Sequence, residues 1–541
     1  MRDRVCVCER ERGKGVSQPE RESGEGERER EKAEREGEGR EREREPMEMW
    51  FLLAVLLVAA ALSLGKVLLG RIRRPGEPPL EQGWIPYFGK AFEFHRDSLG
   101  FLLSRQQKWG DVFTVYIAGK YMTFILNPFL YQFVVQCNKQ LDFQGFSLEV
   151  SAKVFGHPYL NDPKIPVNIE EMQKRYSYLM GEELNILNGR TMKNLQSVMK
   201  QEQLGPTECR TESMYSFCCR IIIEATYLTL YGKVPEDEQE EITELKKKFI
   251  QFDKMFPYLV ARIPIELLGN TKVIRKELTS YFTSRRLDQR LNLANVIKER
   301  KNFLETYSYL QDHQRAAHHF AFLWAALGNT VPAAFWALYY LVKNPEAHAA
   351  VRDEIQHVFQ AAGQRANPDF NISLTREHLD SMVILGSAIK ESFRLCSASM
   401  NIRTVQEDFT LKLKEEQSVK LRKGDWVVLY PQILHLDPEV YENPEVYKYN
   451  RFVENGLEKT AFYKRGRKLR YYLMPFGSGS SMCPGRHFAV SEIKMFLAIM
   501  LATFDLEIIE GEKPVGLNND RAGLGILLPN SDVQFRYKWH Q

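Results

Sequence analysis

One stretch of this 541-residue chain combines residue types and spacing suited to redox chemistry: Phe476 to Gly485, reading FGSGSSMCPG. It sets a single cysteine, Cys483, in a glycine-punctuated loop directly before an apolar helical run, Phe488 to Phe504. Gly477, Gly479 and Gly485 allow turns that a Cβ would obstruct, so the chain can curl around a bulky flat ligand. A thiolate at a helix start gains from the positive end of the helix dipole and from the loop's N–H groups. Those are the conditions of an axial thiolate on haem iron. A lone cysteine in a glycine-rich turn is more often a buried structural residue; the fixed spacing F-x-x-G-x-x-x-C-x-G separates this loop from that case. The same glycines do not make a dinucleotide loop, because G-x-G-x-x-G needs glycine at 482, where Met482 stands. With no nucleotide-binding glycine loop elsewhere, reducing electrons have to come from another protein.

The loop resembles the haem-binding loop of the cytochrome P-450 superfamily. The resemblance implies a mainly α fold with small β-sheets and haem b (iron protoporphyrin IX) as cofactor. Cys483 would be the axial ligand of the haem iron, with Phe476, Gly477 and Gly485 shaping the cradle. The family usually has Arg or His two residues before the cysteine, and Ser481 stands there. Its W-x-x-x-R propionate clamp has no match either.

A second motif lies in His318 to Lys343, HHFAFLWAALGNTVPAAFWALYYLVK, apolar around its whole circumference. A membrane span is the competing reading. Gly328, Asn329, Thr330 and Pro332 at its middle are awkward in lipid, and an interior proline costs about 3 kcal/mol or more unless local structure absorbs it. A long helix through the centre of a large protein, bent at a ligand, accounts for the pattern better. It resembles the family's distal helix, where an acid–threonine pair delivers protons during dioxygen cleavage. Thr330 fits the alcohol, Asn329 replaces the acid, and Leu327 replaces the usual glycine.

Glu391-Ser392-Phe393-Arg394 gives E-x-x-R at one-turn spacing on a helix, so the two side chains share a face. With Arg451 downstream it resembles the family's buried ion triad, a structural device. Arg403 in NIRT and His435 in HLDPE stand where the family often contacts the haem propionates; a local hydrogen bond in a turn or strand is the plain alternative for each. Lys464, Arg465, Arg467, Lys468 and Arg470 form a basic run before the cysteine loop. Such a run is usually a solvated face, and beside a thiolate it could also steer an acidic reductase.

These residues need a scaffold, and the chain supplies one. Composition is ordinary for a globular protein at 44% apolar and 27% charged, and a net charge of +4 selects no nucleic-acid partner. Eight cysteines without zinc or short-framework spacing fit free thiols in a reducing compartment. Residues 1–46 are dominated by Glu, Arg, Gly and Ser and are expected to be disordered, an extension that the gene model adds before a working start at Met47. The segment 47–70 is a transmembrane anchor: its 22 residues from Met49 span about 33 Å as a helix. Arg71, Arg73 and Arg74 then hold the following domain on the cytoplasmic side, and residues 71–79 form a proline-rich hinge. From 80 to 541 one domain is expected, with a helix at Leu99–Trp109, strands at Val112–Ile117 and Tyr121–Leu126 joined by Gly119-Lys120, and largely helical structure from 150 to 310.

Within the superfamily the match narrows to the sterol 7α-hydroxylases. SASMNIRTVQEDFTL, LHLDPEVY, MPFGSGSSMCPGR and RAGLGILLPNSDVQFRYK resemble the cholesterol branch; RRPGEPPL, GKYMTFILNPF, IPIELLGN and HHFAFLWA resemble the oxysterol branch. This implies insertion of one oxygen from O2 at carbon 7, with electrons from NADPH through an NADPH–cytochrome reductase and the endoplasmic reticulum membrane as location. Phe322, Trp324, Ala325, Ala326 and Pro332 are the candidates to line the sterol pocket. The alternatives are a sterol 12α-hydroxylase and a haem-thiolate isomerase resembling prostacyclin synthase; Thr330 and Pro484 lean away from the isomerase.

Overall fold

The computed structural model describes residues 50, 57–58, 64, 70–159, 167–201, 208–233, 239–365, 372–414, 417–509 and 515–540. The chain divides into two units, Met1–Gly70 and Arg71–Gln541. The arm before Met47 and most of the expected anchor lie outside the described residues. Trp50, Leu57, Val58 and Leu64, which are described, are helical and exposed.

In the larger unit the apolar segment is one long rod with a break. It comprises α1 (Asp312–Leu327) and α2 (Thr330–Lys343), with Gly328 and Asn329 between them. The proline is absorbed as the motif requires: Asn329 caps α2, which places Pro332 in the first turn, where its missing N–H has no intrahelical partner to lose. An 18-residue window of this rod passes for a membrane span by length and composition, yet 72% of it is buried inside the fold. It is a core helix.

Helices surround the rod because their apolar faces need it. Val383–Cys396 (α3) and Arg486–Thr503 (α4) are buried along most of their length, and Phe335, Trp336, Phe393, Phe496 and Met500 share one continuous core with it. A six-stranded sheet packs at one side, in the order Leu80–Glu81, Val112–Ile117, Lys120–Ile125, Trp426–Leu429 (β2), Asn401–Val405 (β1), Leu141–Asp142. β1 and β2 run antiparallel with Asn401 opposite Leu429 and Arg403 opposite Val427. The hairpin read at 112–126 is present, turning at Ala118 and Gly119, both with positive φ.

The basic residues expected to act on the membrane topology are partly engaged in this unit. Arg71 pairs with Asp425 and with Glu77 at 3.5 Å, and its side chain is 9% exposed. Arg73 donates from Nε and Nη2 to the Glu77 carbonyl and from Nε to that of Pro78, bracing the proline-rich segment.

Candidate active site

The cysteine loop folds back on itself before α4. The Cys483 N–H donates to the Phe476 carbonyl at 2.8 Å, closing the eight residues from 476 to 483 into a ring around Gly477 and Gly479. Those two glycines have φ of +78° and +64°, the left-handed region that favours glycine. A Cβ on Gly479 would also stand 2.5 Å from Val135 Cγ1. Gly485 is different from the sequence reading: its φ is −85°, so its backbone imposes no such demand. A Cβ there would lie 3.9 Å from Cys483 Sγ and from Leu179, an ordinary contact, so space does not demand glycine either.

Burial pushes the free Cys483 thiol above its ordinary range, while the Gly485 and Arg486 backbone N–H groups and the Arg486 charge oppose it. The two N–H groups come from the start of α4, as a thiolate at a helix N-terminus requires. Phe476 meets Phe393 of α3 edge-on at 5.6 Å, which ties the loop to the helix that carries the ion triad.

That triad is assembled and dry. Arg394 donates from Nε and Nη2 to the two Glu391 oxygens at 2.8 Å each, and Arg451 Nε reaches Glu391 Oε1 at 2.9 Å. Both Glu391 and Arg394 are fully buried. Arg394 Nη1 continues to the His435 carbonyl, and His435 Nε2 accepts the Met474 N–H at 3.1 Å. His435 therefore joins the triad to the segment entering the cysteine loop. Burial, reinforced by the Arg394 charge, pushes its imidazole down to about 3, so it is neutral.

Arg403 lies at the loop itself, 4% exposed, donating to the Ser478 carbonyl at 3.0 Å and to that of Ile402 at 2.8 Å. Two residues earlier on the same face of β1, Asn401 accepts the Ser478 hydroxyl at 3.3 Å, while its buried Nδ2 has no partner. Sequence reading missed Asn401; only the period-2 strand that aims it where Arg403 points reveals it. A haem carries carboxylates, and a buried guanidinium beside an unpaired amide donor is a donor set that suits one. The residues present fit the group.

On the rod, Thr330 is 4% exposed and its hydroxyl donates to the Ala326 carbonyl at 2.7 Å, across the break. Asn329 Oδ1 accepts the Ile526 N–H at 3.0 Å, and Gly525 packs so close that a Cβ would meet that oxygen at 2.1 Å. The Asn329 amide is thus stapled to the carboxy-terminal segment. Among the proposed pocket residues, Ala325 is exposed and Ala326 and Trp324 partly so, although the rod is otherwise largely covered. Phe322 and Pro332 differ: both are packed, Phe322 against Tyr176 at 6.2 Å and beneath the Arg300 guanidinium at 4.9 Å. Trp324 stacks on Phe256 at 3.7 Å and donates from Nε1 to Asp253 at 2.8 Å.

The basic run is a short hairpin, Tyr463–Lys464 with Arg467–Lys468. Lys464 and Arg465 are paired, the first with Asp437 and Glu439, the second with Glu439; Arg467, Lys468 and Arg470 are exposed. Among the described residues no cluster of His, Cys, Asp and Glu could hold a metal ion, and the six described cysteines are all free.

Comparison with known proteins shows the family. The family model described as Cytochrome P450 matches residues 78–537. Cytochrome P450 7B1 of Mus musculus is 45% identical over 487 residues, covering 89% of this chain and 95% of that protein. Cholesterol 7-alpha-monooxygenase of Cricetulus griseus is 42% identical over 478 residues, 86% and 94% respectively. The 25-hydroxycholesterol 7-alpha-hydroxylase of Rattus norvegicus is 42% identical over 411 residues, 75% and 98%.

Proposed function

The chain belongs to the cytochrome P450 family and is a haem-thiolate monooxygenase, and from that premise we propose that it inserts one oxygen atom at carbon 7, on the α face, of a sterol. The observation that carries this reading is the identity of 42% to each of two relatives whose names place the oxidation at carbon 7, over most of their length. Both names specify carbon 7, which favours that position over carbon 12. The substrate is cholesterol or a side-chain-hydroxylated cholesterol, the longer carboxy-terminal matches favouring cholesterol.

Haem b, when bound, would supply the activation of dioxygen with two electrons. The chain's own residues do the rest. Cys483, its sulfur presented at the start of α4, would hold the iron as a thiolate ligand and supply it with electron density. Arg403 and Asn401 would hold the propionate side of the cofactor. Thr330 Oγ1 retains lone pairs beyond its bond to Ala326, so it can take a proton from ordered water and pass on its own. Asn329 cannot relay a proton as a carboxylate does; it positions the wall of the pocket. The electrons are NADPH-derived and arrive through an NADPH–cytochrome reductase, steered by Arg467, Lys468 and Arg470. A sterol dissolved in the endoplasmic reticulum membrane suits a chain anchored there by residues 47–70.

The test is product analysis with purified protein, reductase and NADPH on both sterol classes. A 7α-hydroxysterol is expected; oxidation confined to the side chain, or no turnover of either class, would overturn the reading.

A further inference from the structure

Three segments far apart in sequence meet beside the open face of α1. Asp253, on the Gln239–Val260 helix, uses both carboxylate oxygens. Oδ1 accepts Trp324 Nε1 at 2.8 Å, and Oδ2 accepts Arg521 Nη1 at 3.1 Å. Arg521 is 1% exposed and lies 6.0 Å from the Trp324 ring. Five residues on, the same carboxy-terminal segment gives the Ile526 N–H to Asn329. The segment from 521 to 526 therefore runs alongside α1 from Trp324 to Asn329, and the exposed Ala325 sits on the stretch between those two attachments.

Arg521 is incompletely satisfied. Its Nε and Nη2 are buried and have no hydrogen-bond partner. These two nitrogens form one edge of the guanidinium, where N–H groups point outward in parallel as a fork. Arginine is always charged, and a buried donor edge left empty is strongly unfavourable. Asp253 already balances the charge, so the edge suits a neutral oxygen acceptor rather than a second anion.

We propose, building on the sterol reading above, that the free Nε/Nη2 edge of Arg521 is the polar recognition point of the substrate pocket and donates to a hydroxyl or keto oxygen of the sterol. Asp253 is a positioning residue in this arrangement: it fixes the guanidinium and the Trp324 indole with one carboxylate. The apolar remainder of the pocket contributes affinity without direction, whereas a fork aimed at one oxygen sets which end of the sterol lies at this wall. A site built to hydrogen-bond a substrate oxygen discriminates strongly against an analogue that lacks it, because its buried donors are then left unpaired.

Spectral titration of the haem-loaded protein tests this with four sterols: cholesterol, 25-hydroxycholesterol, 3-deoxycholesterol (cholest-5-ene) and its 25-hydroxy derivative. Bare cholest-5-ene should bind about tenfold or more weaker than the sterol carrying the recognised oxygen, as expected for losing a hydrogen bond to a charged group. If the 3-hydroxyl is recognised, both 3-deoxy sterols bind weakly; if the side-chain hydroxyl is, both 25-hydroxy sterols bind tightly. Arg521→Met should abolish the difference while leaving cholest-5-ene affinity within about twofold. Equal affinity of all four sterols for the unsubstituted protein would overturn the assignment without any variant. So would an oxygen preference that survives in Arg521→Met. The reading at carbon 7 stands or falls separately, on the position of the oxygen in the product.

Discussion

At the scale of single residues, two side chains divide the chemistry. Cys483 is the proposed thiolate ligand, and its loop is shaped by two glycines in the left-handed region and by one bond back to Phe476. Cys483→Ser is expected to lose the red-shifted absorption band that reduced haem-thiolate proteins give with carbon monoxide; a surviving band would refute the ligand assignment. Thr330 is the proton carrier in the proposed mechanism. General acid–base contributions are typically about 10²–10⁴-fold, so loss of its hydroxyl should be plain. For Thr330→Ala we expect continued reductant consumption, less hydroxysterol and more peroxide, whereas Thr330→Ser should keep most of the coupling. Product formed per reductant consumed is the quantity to measure, and unchanged coupling in Thr330→Ala would rule the relay out.

At the scale of elements, the break between α1 and α2 organises the middle of the rod. It frees the Ala326 carbonyl to take the Thr330 hydroxyl, and it turns Asn329 toward the carboxy-terminal segment. The bond from Ile526 N–H to Asn329 holds that segment against the rod. Replacing Asn329 with Leu leaves a buried donor unpaired, a loss of about 1–3 kcal/mol. Hydrogen exchange at the Ile526 amide should therefore be roughly tenfold faster in Asn329→Leu and near its original rate in Asn329→Asp, which keeps an acceptor. Equal exchange in all three proteins would show that the staple contributes nothing.

At the scale of the whole molecule, buried histidines set the response to acid. Burial pushes His157 down to about 4, and His319 and His435 down to about 3, leaving all three neutral in the fold. The unfolded chain protonates each near its ordinary value, so it binds protons first as the pH falls. The stability tied to these groups is complete above about pH 6.5 and is lost progressively toward about 4 and 3, at about 1.4 kcal/mol per unit for each group. Glu492 acts in the opposite sense, its carboxyl being raised by burial to about 8, so its contribution declines as the pH rises from about 4.5 to about 8. Melting temperature measured between pH 7 and 5 should fall, and less steeply in His319→Gln; an identical slope would exclude the histidine. The anchor proposed for residues 47–70 gives a second prediction at this scale. Protein translated from Met47 into microsomes should be fully active, with its domain digested by protease added outside. Protection of the domain, or loss of activity on that truncation, would contradict the topology.

The sequence by itself determined whatever is encoded in contiguous spacing. The cysteine loop, the E-x-x-R pair and the helix-breaking cluster at 328–332 each depend on neighbours within a few turns, so their local geometry was legible before any fold was known. The hairpin at 112–126 and the core rod were legible for the same reason, through turn chemistry and apolar patterning. What only the tertiary structure decided are meetings between distant segments. Nothing in SASMNIRT marks Asn401 until β1 aims it at the cysteine loop, and nothing links Asp253, Trp324 and Arg521 until three segments converge. The direction of a side chain around a helix is equally a tertiary matter. Phe322 and Ala325 are three residues apart on one apolar rod, yet one is packed beneath Arg300 and the other lies open. On a helix that is apolar on every side, periodicity has no polar face to mark which side is outward. The neighbours decide that, because only they determine where the packing stops.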